Sequence, residues 1–141
     1  MDRVEMAMEY HAQGYNCAQA VVLAYADKMG LDKMLAAKIA EPFGGGMGQL
    51  REVCGAFSGA LMVFGSQKAQ GEETDKKVRG KLYEETRQMA EEFQELAGSL
   101  ICGELLKLPQ EMPDGQEGNC YTRKPCSEYV RIAAEIVVRH I

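Results

Sequence analysis

The most apolar helical segment of the chain lies at residues 16–26, which read Asn16-Cys17-Ala18-Gln19-Ala20-Val21-Val22-Leu23-Ala24-Tyr25-Ala26. Asn16 followed by Gln19 has the spacing of a capping box, so we predict a helix over residues 17–29 that Gly30 ends. Its side chains are apolar on nearly every face, which is typical of a helix at the centre of a fold.

A second apolar helix is predicted from about Arg51 to Phe64, where Gly65 would stop it. Gly55 and Gly59 are four residues apart. Ala56 and Ala60 repeat that spacing one position later. Small side chains in such rows let another helix approach closely, and the helix over 17–29 is the natural partner. If the two helices cross near their starts, Cys17 and Cys54 meet.

Helical periodicity continues through most of the chain. Asp2 is predicted to cap a helix over residues 2–12, and Asp32 one that ends near Glu41, before Pro42. Further helices are predicted over residues 72–97, 99–106 and 127–141, with a flexible glycine loop at 44–48 and a proline-containing loop at 109–125. The charged helix over 72–97 carries one apolar stripe, formed by Val78, Leu82, Met89, Phe93 and Leu96.

These patterns predict an all-α fold, a compact bundle of six or seven helices around two central helices rich in small residues. The length of 141 residues is that of one domain, which we assign to residues 1–141. No stretch alternates strictly between polar and apolar residues, as a strand with one buried face would.

Charge and hydropathy exclude several classes of protein. Sixteen Lys and Arg against twenty-one Asp and Glu give a net charge of −5, which argues against a nucleic-acid partner. The acidic start at residues 1–6 does not resemble a signal peptide. The longest apolar run, residues 53–67, is shorter than the ~20 residues of a membrane span, so no membrane insertion is expected. We therefore predict a cytoplasmic protein, whose thiols stay mostly reduced.

Four of the five cysteines fall at predicted helix starts: Cys17, Cys54, Cys102 and Cys126. Unsatisfied N–H groups and the positive end of the helix dipole favour a thiolate there, and the thiolate is both the nucleophile and the metal ligand. The alternative is that each cysteine packs as a small apolar side chain.

The chain also resembles a known family over essentially its whole length. The resemblance rests on motifs in a specific order: Tyr15-Asn16-Cys17-Ala18-Gln19-Ala20, Phe43-Gly44-Gly45-Gly46-Met47-Gly48, Cys54-Gly55-Ala56-Phe57-Ser58-Gly59, Cys102-Gly103-Glu104-Leu105-Leu106 and Cys126-Ser127-Glu128-Tyr129-Val130. It is to the C-GCAxxG-C-C family of small bacterial and archaeal proteins. That resemblance implies a redox role for Cys17, Cys54, Cys102 and Cys126, and leaves Cys120 as an extra cysteine in the predicted loop. It also implies a functional link to a membrane transporter.

Two kinds of thiol chemistry are open. A dithiol/disulfide site, formed by Cys17 with Cys54 or Cys102 with Cys126, needs no cofactor, and Cys120 could resolve a disulfide at Cys126. The alternative is a zinc or iron–sulfur site held by the same four cysteines, although the wide gaps between them do not favour it. Weaker candidates to join such a site are His11, Glu41 and Glu52.

The glycine loop offers a weaker candidate for binding a cofactor. Gly45, Gly46 and Gly48 precede a predicted helix, where backbone N–H groups can hold an anion. The segment lacks the Gly-Lys-Ser/Thr of a phosphate-binding loop.

A third interpretation is a non-catalytic helical interaction protein with structural cysteines. The apolar stripe of residues 72–97 would then support a homodimer. Under the redox interpretation the protein has a redox partner that the sequence does not identify.

Overall fold

The computed structural model describes residues 1–107 and 124–141, with side chains of the second range described from Cys126 onward. Its helical elements in chain order are α1 (Arg3–Ala12), α2 (Cys17–Ala24), α3 (Ala26–Met29), α4 (Lys33–Ala40), a 3-10 turn (Glu41–Phe43), α5 (Gly44–Met47), α6 (Gly55–Lys68), α7 (Lys76–Ala97), α8 (Cys102–Lys107) and α9 (Lys124–His140). Seven of these helices exceed a single turn, so the predicted all-α bundle is confirmed.

Helices α2 and α6 form the centre of the bundle, as predicted. Every residue of α2 is buried, and α2 packs most extensively against α6 and α1. A Cβ atom on Gly59 would lie 2.8 Å from the carbonyl oxygen of Ala18, so the backbones of α2 and α6 touch at this glycine. Helix α9 packs against α6 and α1, and α4 covers α2 from the other side.

Helix α7 lies outside this centre and contacts α9 and α6. Its Phe93 ring lies 5.5 Å from the Phe57 ring and 6.5 Å from the Tyr129 ring, centroid to centroid. The predicted apolar stripe is not buried along its whole length, because Val78 at one end is 40% exposed and Leu96 at the other 54%. A helix of 22 residues is about 33 Å long and extends past the surface that its middle turns cover.

The predicted helix over 17–29 is interrupted at Tyr25. This residue leaves helical geometry at φ −120° and ψ 9°, and its buried ring donates a hydrogen bond from Oη to the Ala134 carbonyl, 3.0 Å away. The single turn of α3 follows and ends at Gly30 in the left-handed conformation, as predicted.

Helix α6 differs from its predicted bounds at both ends. It begins at Gly55 instead of Arg51, because Val53 pairs in an antiparallel β-bridge with Ile101. That bridge is the one β pairing within the described ranges. The helix continues through Gly65 to Lys68, since a glycine inside a helix costs only about 1 kcal/mol and does not by itself end it.

The last two helices also begin at other residues than predicted. Helix α8 begins at Cys102, because Leu100 and Ile101 belong to the bridge segment. Helix α9 begins earlier, at Lys124, since Pro125 is compatible with a first helical turn. Cys120 and most of the predicted loop over 109–125 lie outside the described residues. No helix that is described combines the length and the apolar character needed to cross a membrane.

Candidate functional site

Each of the four cysteines lies at a helix start, as predicted, and each is buried. Cys17 is the first residue of α2, and Cys54 immediately precedes α6. Cys102 is the first residue of α8, and Cys126 the third of α9. The starts of four helices are therefore the elements that position the candidate thiols.

The start of α2 is held by hydrogen bonds on both sides of Cys17. Asn16 Oδ1 accepts from the Gln19 amide, 2.9 Å away, and Gln19 Oε1 accepts from the Asn16 amide at 3.1 Å, which completes the predicted capping box. The same two side chains donate to the backbone carbonyls of Glu41 and Ala37. Cys17 thus belongs to a segment that is tied to α4 and to the turn after it.

The starts of α2 and α6 lie against each other. A Cβ atom on Gly55 would be 3.4 Å from the Ala18 amide nitrogen and 2.9 Å from the Phe43 carbonyl oxygen. The crossing predicted from the small-residue rows is therefore present, and it brings the backbones that follow Cys17 and Cys54 together.

The bridge between Val53 and Ile101 brings Cys54 and Cys102 to one face of a short ladder. The Cys54 amide donates to the Leu100 carbonyl at 2.8 Å, and the Cys102 amide donates to the Glu52 carbonyl at 2.6 Å. With this pattern Cys54 and Cys102 are diagonal neighbours, whose side chains share a face and whose Cα atoms in a regular ladder lie about 7–8 Å apart.

A left-handed backbone turn occupies residues 45–49, where the sequence predicted a flexible loop. Gly45, Gly46 and Gly48 have φ between +57° and +69°, and Met47 and Gln49 share φ +66°. Gly45 and Gly46 are buried. Each non-glycine residue in this conformation costs about 1–2 kcal/mol, so the surrounding contacts must hold the turn in place.

This turn places Arg51 beside Cys102. A Cβ atom on Gly46 would lie 2.7 Å from Cys102 Cβ, so only glycine permits this approach. Arg51, itself at φ +64°, directs Nη1 to within 3.7 Å of the Cys102 sulfur. A guanidinium at this distance stabilises the thiolate form of a cysteine.

The anion site predicted at Gly45, Gly46 and Gly48 gains no support from the hydrogen bonds. The amides of residues 48–52 donate to carbonyls of residues 42–47, within the same segment. These N–H groups are not available to an anion, and a role of the three glycines in cofactor binding stays a prediction.

The surroundings of Cys54 disfavour a thiolate. Burial raises the pKa of this thiol to about 12, with smaller increases from the nearby Cys102 and Cys126 sulfurs. The amides of Ala56 and Phe57 at the start of α6 act in the opposite direction but do not offset burial. Cys54 therefore stays protonated at neutral pH while Cys102 and Cys126 lie within electrostatic reach.

That pKa predicts a loss of stability at alkaline pH. Because the folded value of about 12 exceeds the ordinary value of 9.0, the unfolded chain releases this proton first, and the stabilisation present below pH 9 is lost as the pH rises toward 12. Cys54→Ala should reduce the alkaline slope of the free energy of unfolding by at most ~1.4 kcal/mol per pH unit. Urea denaturation at pH values from 7 to 10.5 measures this slope.

Tyr25 serves as the internal reference in that experiment. Burial raises the pKa of Tyr25 to about 12 as well. Above pH 10 Tyr25 therefore contributes equally to the alkaline slope of the wild type and of Cys54→Ala. Equal slopes for the wild type and Cys54→Ala below pH 10 would show that Cys54 ionises as readily in the folded as in the unfolded chain.

His11 contacts Cys17. It is 1% exposed, with Nε2 4.0 Å from the Cys17 sulfur and Nδ1 3.1 Å from Ser127 Oγ. Glu41 and Glu52, the other weak metal-ligand candidates, have exposed side chains. Within residues 1–107 and 124–141, no three His, Cys, Asp or Glu side chains are arranged to hold a metal ion.

Sequence patterns alone do not single out Arg51 or Ser127. Both were predicted only as helix starts, because their partners, Cys102 and His11, are 51 and 116 positions away. Their position next to motif cysteines or glycines was the one available signal.

Comparison with known families gives one match. The profile of the family described as "Putative redox-active protein (C_GCAxxG_C_C)" matches residues 15–140. No curated protein and no solved structure matches the chain significantly.

Proposed function

The chain belongs to the C-GCAxxG-C-C family, and on that premise we propose that it carries out thiol–disulfide exchange, with Cys102 as the attacking sulfur and Cys54 as the resolving one. The observation that carries this assignment is the Arg51 guanidinium 3.7 Å from the Cys102 sulfur. Cys54, across the Val53–Ile101 bridge, supplies the second thiol. In a reducing cytoplasm, the expected location, the pair rests as a dithiol.

The first step consumes a disulfide of a redox partner. The Cys102 thiolate attacks one sulfur of that disulfide, the S–S bond breaks, and the leaving sulfur takes the electron pair and then a proton. Cys102 is left in a mixed disulfide with the partner. Arg51 contributes by donating a hydrogen bond to the Cys102 sulfur, which favours the thiolate form that attacks.

In the second step the Cys54 sulfur attacks the Cys102 sulfur, and the Cys54 proton passes to the partner sulfur that leaves. The second partner sulfur leaves as a thiol, so two protein thiols have become one disulfide and the partner disulfide two thiols. The mixed disulfide removes the Cys102 charge that helps to raise the Cys54 pKa, which favours this step. Closing the disulfide requires the two Cα atoms to lie about 4.4–6.8 Å apart.

Thiol counting tests the proposal. Protein purified without oxygen is treated with 2-hydroxyethyl disulfide, and thiols, bound iron and bound zinc are measured. We expect a Cys54–Cys102 disulfide in the peptide map, with a reversible loss of the thiols of these two cysteines. Stoichiometric metal, a different cysteine pair, or no loss of thiols would contradict the assignment.

Arginine variants separate the charge at Cys102 from general stability. Arg51→Met should slow the loss of thiols about tenfold at pH 7, and Arg51→Lys should restore part of the rate. Arg131→Met is the matched control, because Arg131 pairs with Glu128 and Glu135 on the surface of α9. An equal rate in Arg51→Met and wild type would contradict the role of the guanidinium.

A further inference from the structure

A buried histidine connects the starts of two of these helices. His11 lies near the end of α1 and is 1% exposed. Its Nε2 faces the Cys17 sulfur at the first position of α2, and its Nδ1 faces Ser127 Oγ in the first turns of α9. A cysteine, an imidazole and a hydroxyl are thus in contact, in that order.

The chemistry of the Cys17 and Ser127 contacts favours one tautomer of the His11 ring. A neutral imidazole has one N–H donor and one acceptor nitrogen. The Ser127 oxygen is a good acceptor, whereas a thiol sulfur accepts hydrogen bonds weakly and donates its S–H. In the arrangement that suits these two contacts, Nδ1–H donates to Ser127 Oγ and Nε2 accepts the proton of Cys17.

We propose that Cys17 is a second reactive thiol of this protein, with His11 as its general base and Ser127 as the residue that orients the imidazole. The proposal does not depend on the exchange between Cys54 and Cys102. Its substrate class is a small disulfide, which Cys17 captures as a mixed disulfide.

The step balances in protons and electrons. The Cys17 proton moves to His11 Nε2, and the sulfur electron pair forms a bond to one sulfur of the disulfide. The disulfide bond breaks, its electron pair leaves with the second sulfur, and that sulfur takes the proton back from His11. One thiol is consumed and one thiol is released, with a mixed disulfide on Cys17.

The surrounding structure holds the two reacting groups in place. Cys17 follows the Asn16 cap, whose side chain is bonded both to the Gln19 amide and to the Glu41 carbonyl. His11 belongs to a helix that packs against both α2 and α9. Geometry fixed by the backbone of three helices is what general-base catalysis requires.

The test measures capture of 2-hydroxyethyl disulfide at each cysteine by mass spectrometry at pH 7. An unassisted thiol is only a few per cent ionised at this pH, so a general base can raise the rate of capture by at most about 30-fold. We expect His11→Gln to slow capture at Cys17 by about ten- to thirtyfold and Ser127→Ala to slow it a few-fold. Ser66→Ala, the same change in the last turn of α6, should leave the rate at Cys17 unchanged. All three variants should leave the rate of capture at Cys102 unchanged.

Two results would overturn the proposal: no capture at Cys17 in the wild type, or equal capture in folded His11→Gln. If His11→Gln does not fold, the ring-nitrogen NMR shifts of His11 in the wild type decide instead. A protonated Nδ1 with an accepting Nε2 supports the proposal, and a neutral ring protonated at Nε2 overturns it. Capture at Cys17 without a Cys54–Cys102 disulfide would refute the proposed function while leaving this inference intact.

Discussion

Gly59→Ala should lower the free energy of unfolding by about 3 kcal/mol, the upper part of the range for overpacking a core. The added Cβ would lie 2.8 Å from the Ala18 carbonyl oxygen and 3.3 Å from the Ala18 Cα. Both are backbone atoms of α2, which cannot move aside without separating the two central helices. Urea denaturation followed by circular dichroism measures the change.

Gly65→Ala is the matched control on the same helix. Nothing lies within 4 Å of the position that its Cβ would take, so the substitution should raise the free energy of unfolding by about 0.5–1 kcal/mol through helix propensity alone. If Gly59→Ala and Gly65→Ala had similar stabilities, the close contact between α2 and α6 would not exist.

Gly46→Ala should also lower the free energy of unfolding by about 3 kcal/mol, for two separate reasons. Its φ of +69° strains any other residue by about 1–2 kcal/mol. In addition, the new Cβ would lie 2.7 Å from Cys102 Cβ and 2.8 Å from the Glu52 amide nitrogen, which forces the turn and α8 apart. We further expect slower oxidation at Cys102, because Arg51 is carried by the same turn.

Gly48→Ala separates the effect of left-handed backbone strain from the effect of a close contact. Its φ is +57°, but the nearest atom to its Cβ is the Pro42 carbonyl oxygen at 3.9 Å, so a loss of only about 1 kcal/mol is expected. A Gly46→Ala variant no less stable than Gly48→Ala would show that the turn does not pack on Cys102. Urea denaturation again gives the comparison.

Much of the helical architecture could be predicted from local chemistry. The Asn16–Gln19 capping box, the Asp2 and Asp32 caps and the left-handed Gly30 all lie where the sequence predicts them, because each depends on neighbours within four residues. The rows of small residues on α6 likewise predicted its close packing on α2.

The errors occur where contacts between distant segments override local preference. Residues 51–54 have helical periodicity, but they pair with residues 100–102 and delay the start of α6. Residues 44–48 were expected to form a flexible loop, whereas Gly44 packs against Asn16 and residues 45–49 form a left-handed turn that packs against Cys102. The residues that these two segments contact are distant from them in the sequence.

By itself, the sequence determined the helices, the two central segments and the placement of Cys17, Cys54, Cys102 and Cys126 at helix starts. These features follow from capping, periodicity and side-chain size over short distances. Only the tertiary structure decided how the thiols differ: Cys102 meets Arg51, Cys17 meets His11, and Cys54 is enclosed by apolar surroundings that keep it protonated. A cysteine's reactivity depends on charge and solvent in the few ångströms around its sulfur, and those neighbours are supplied by the packing of separate helices.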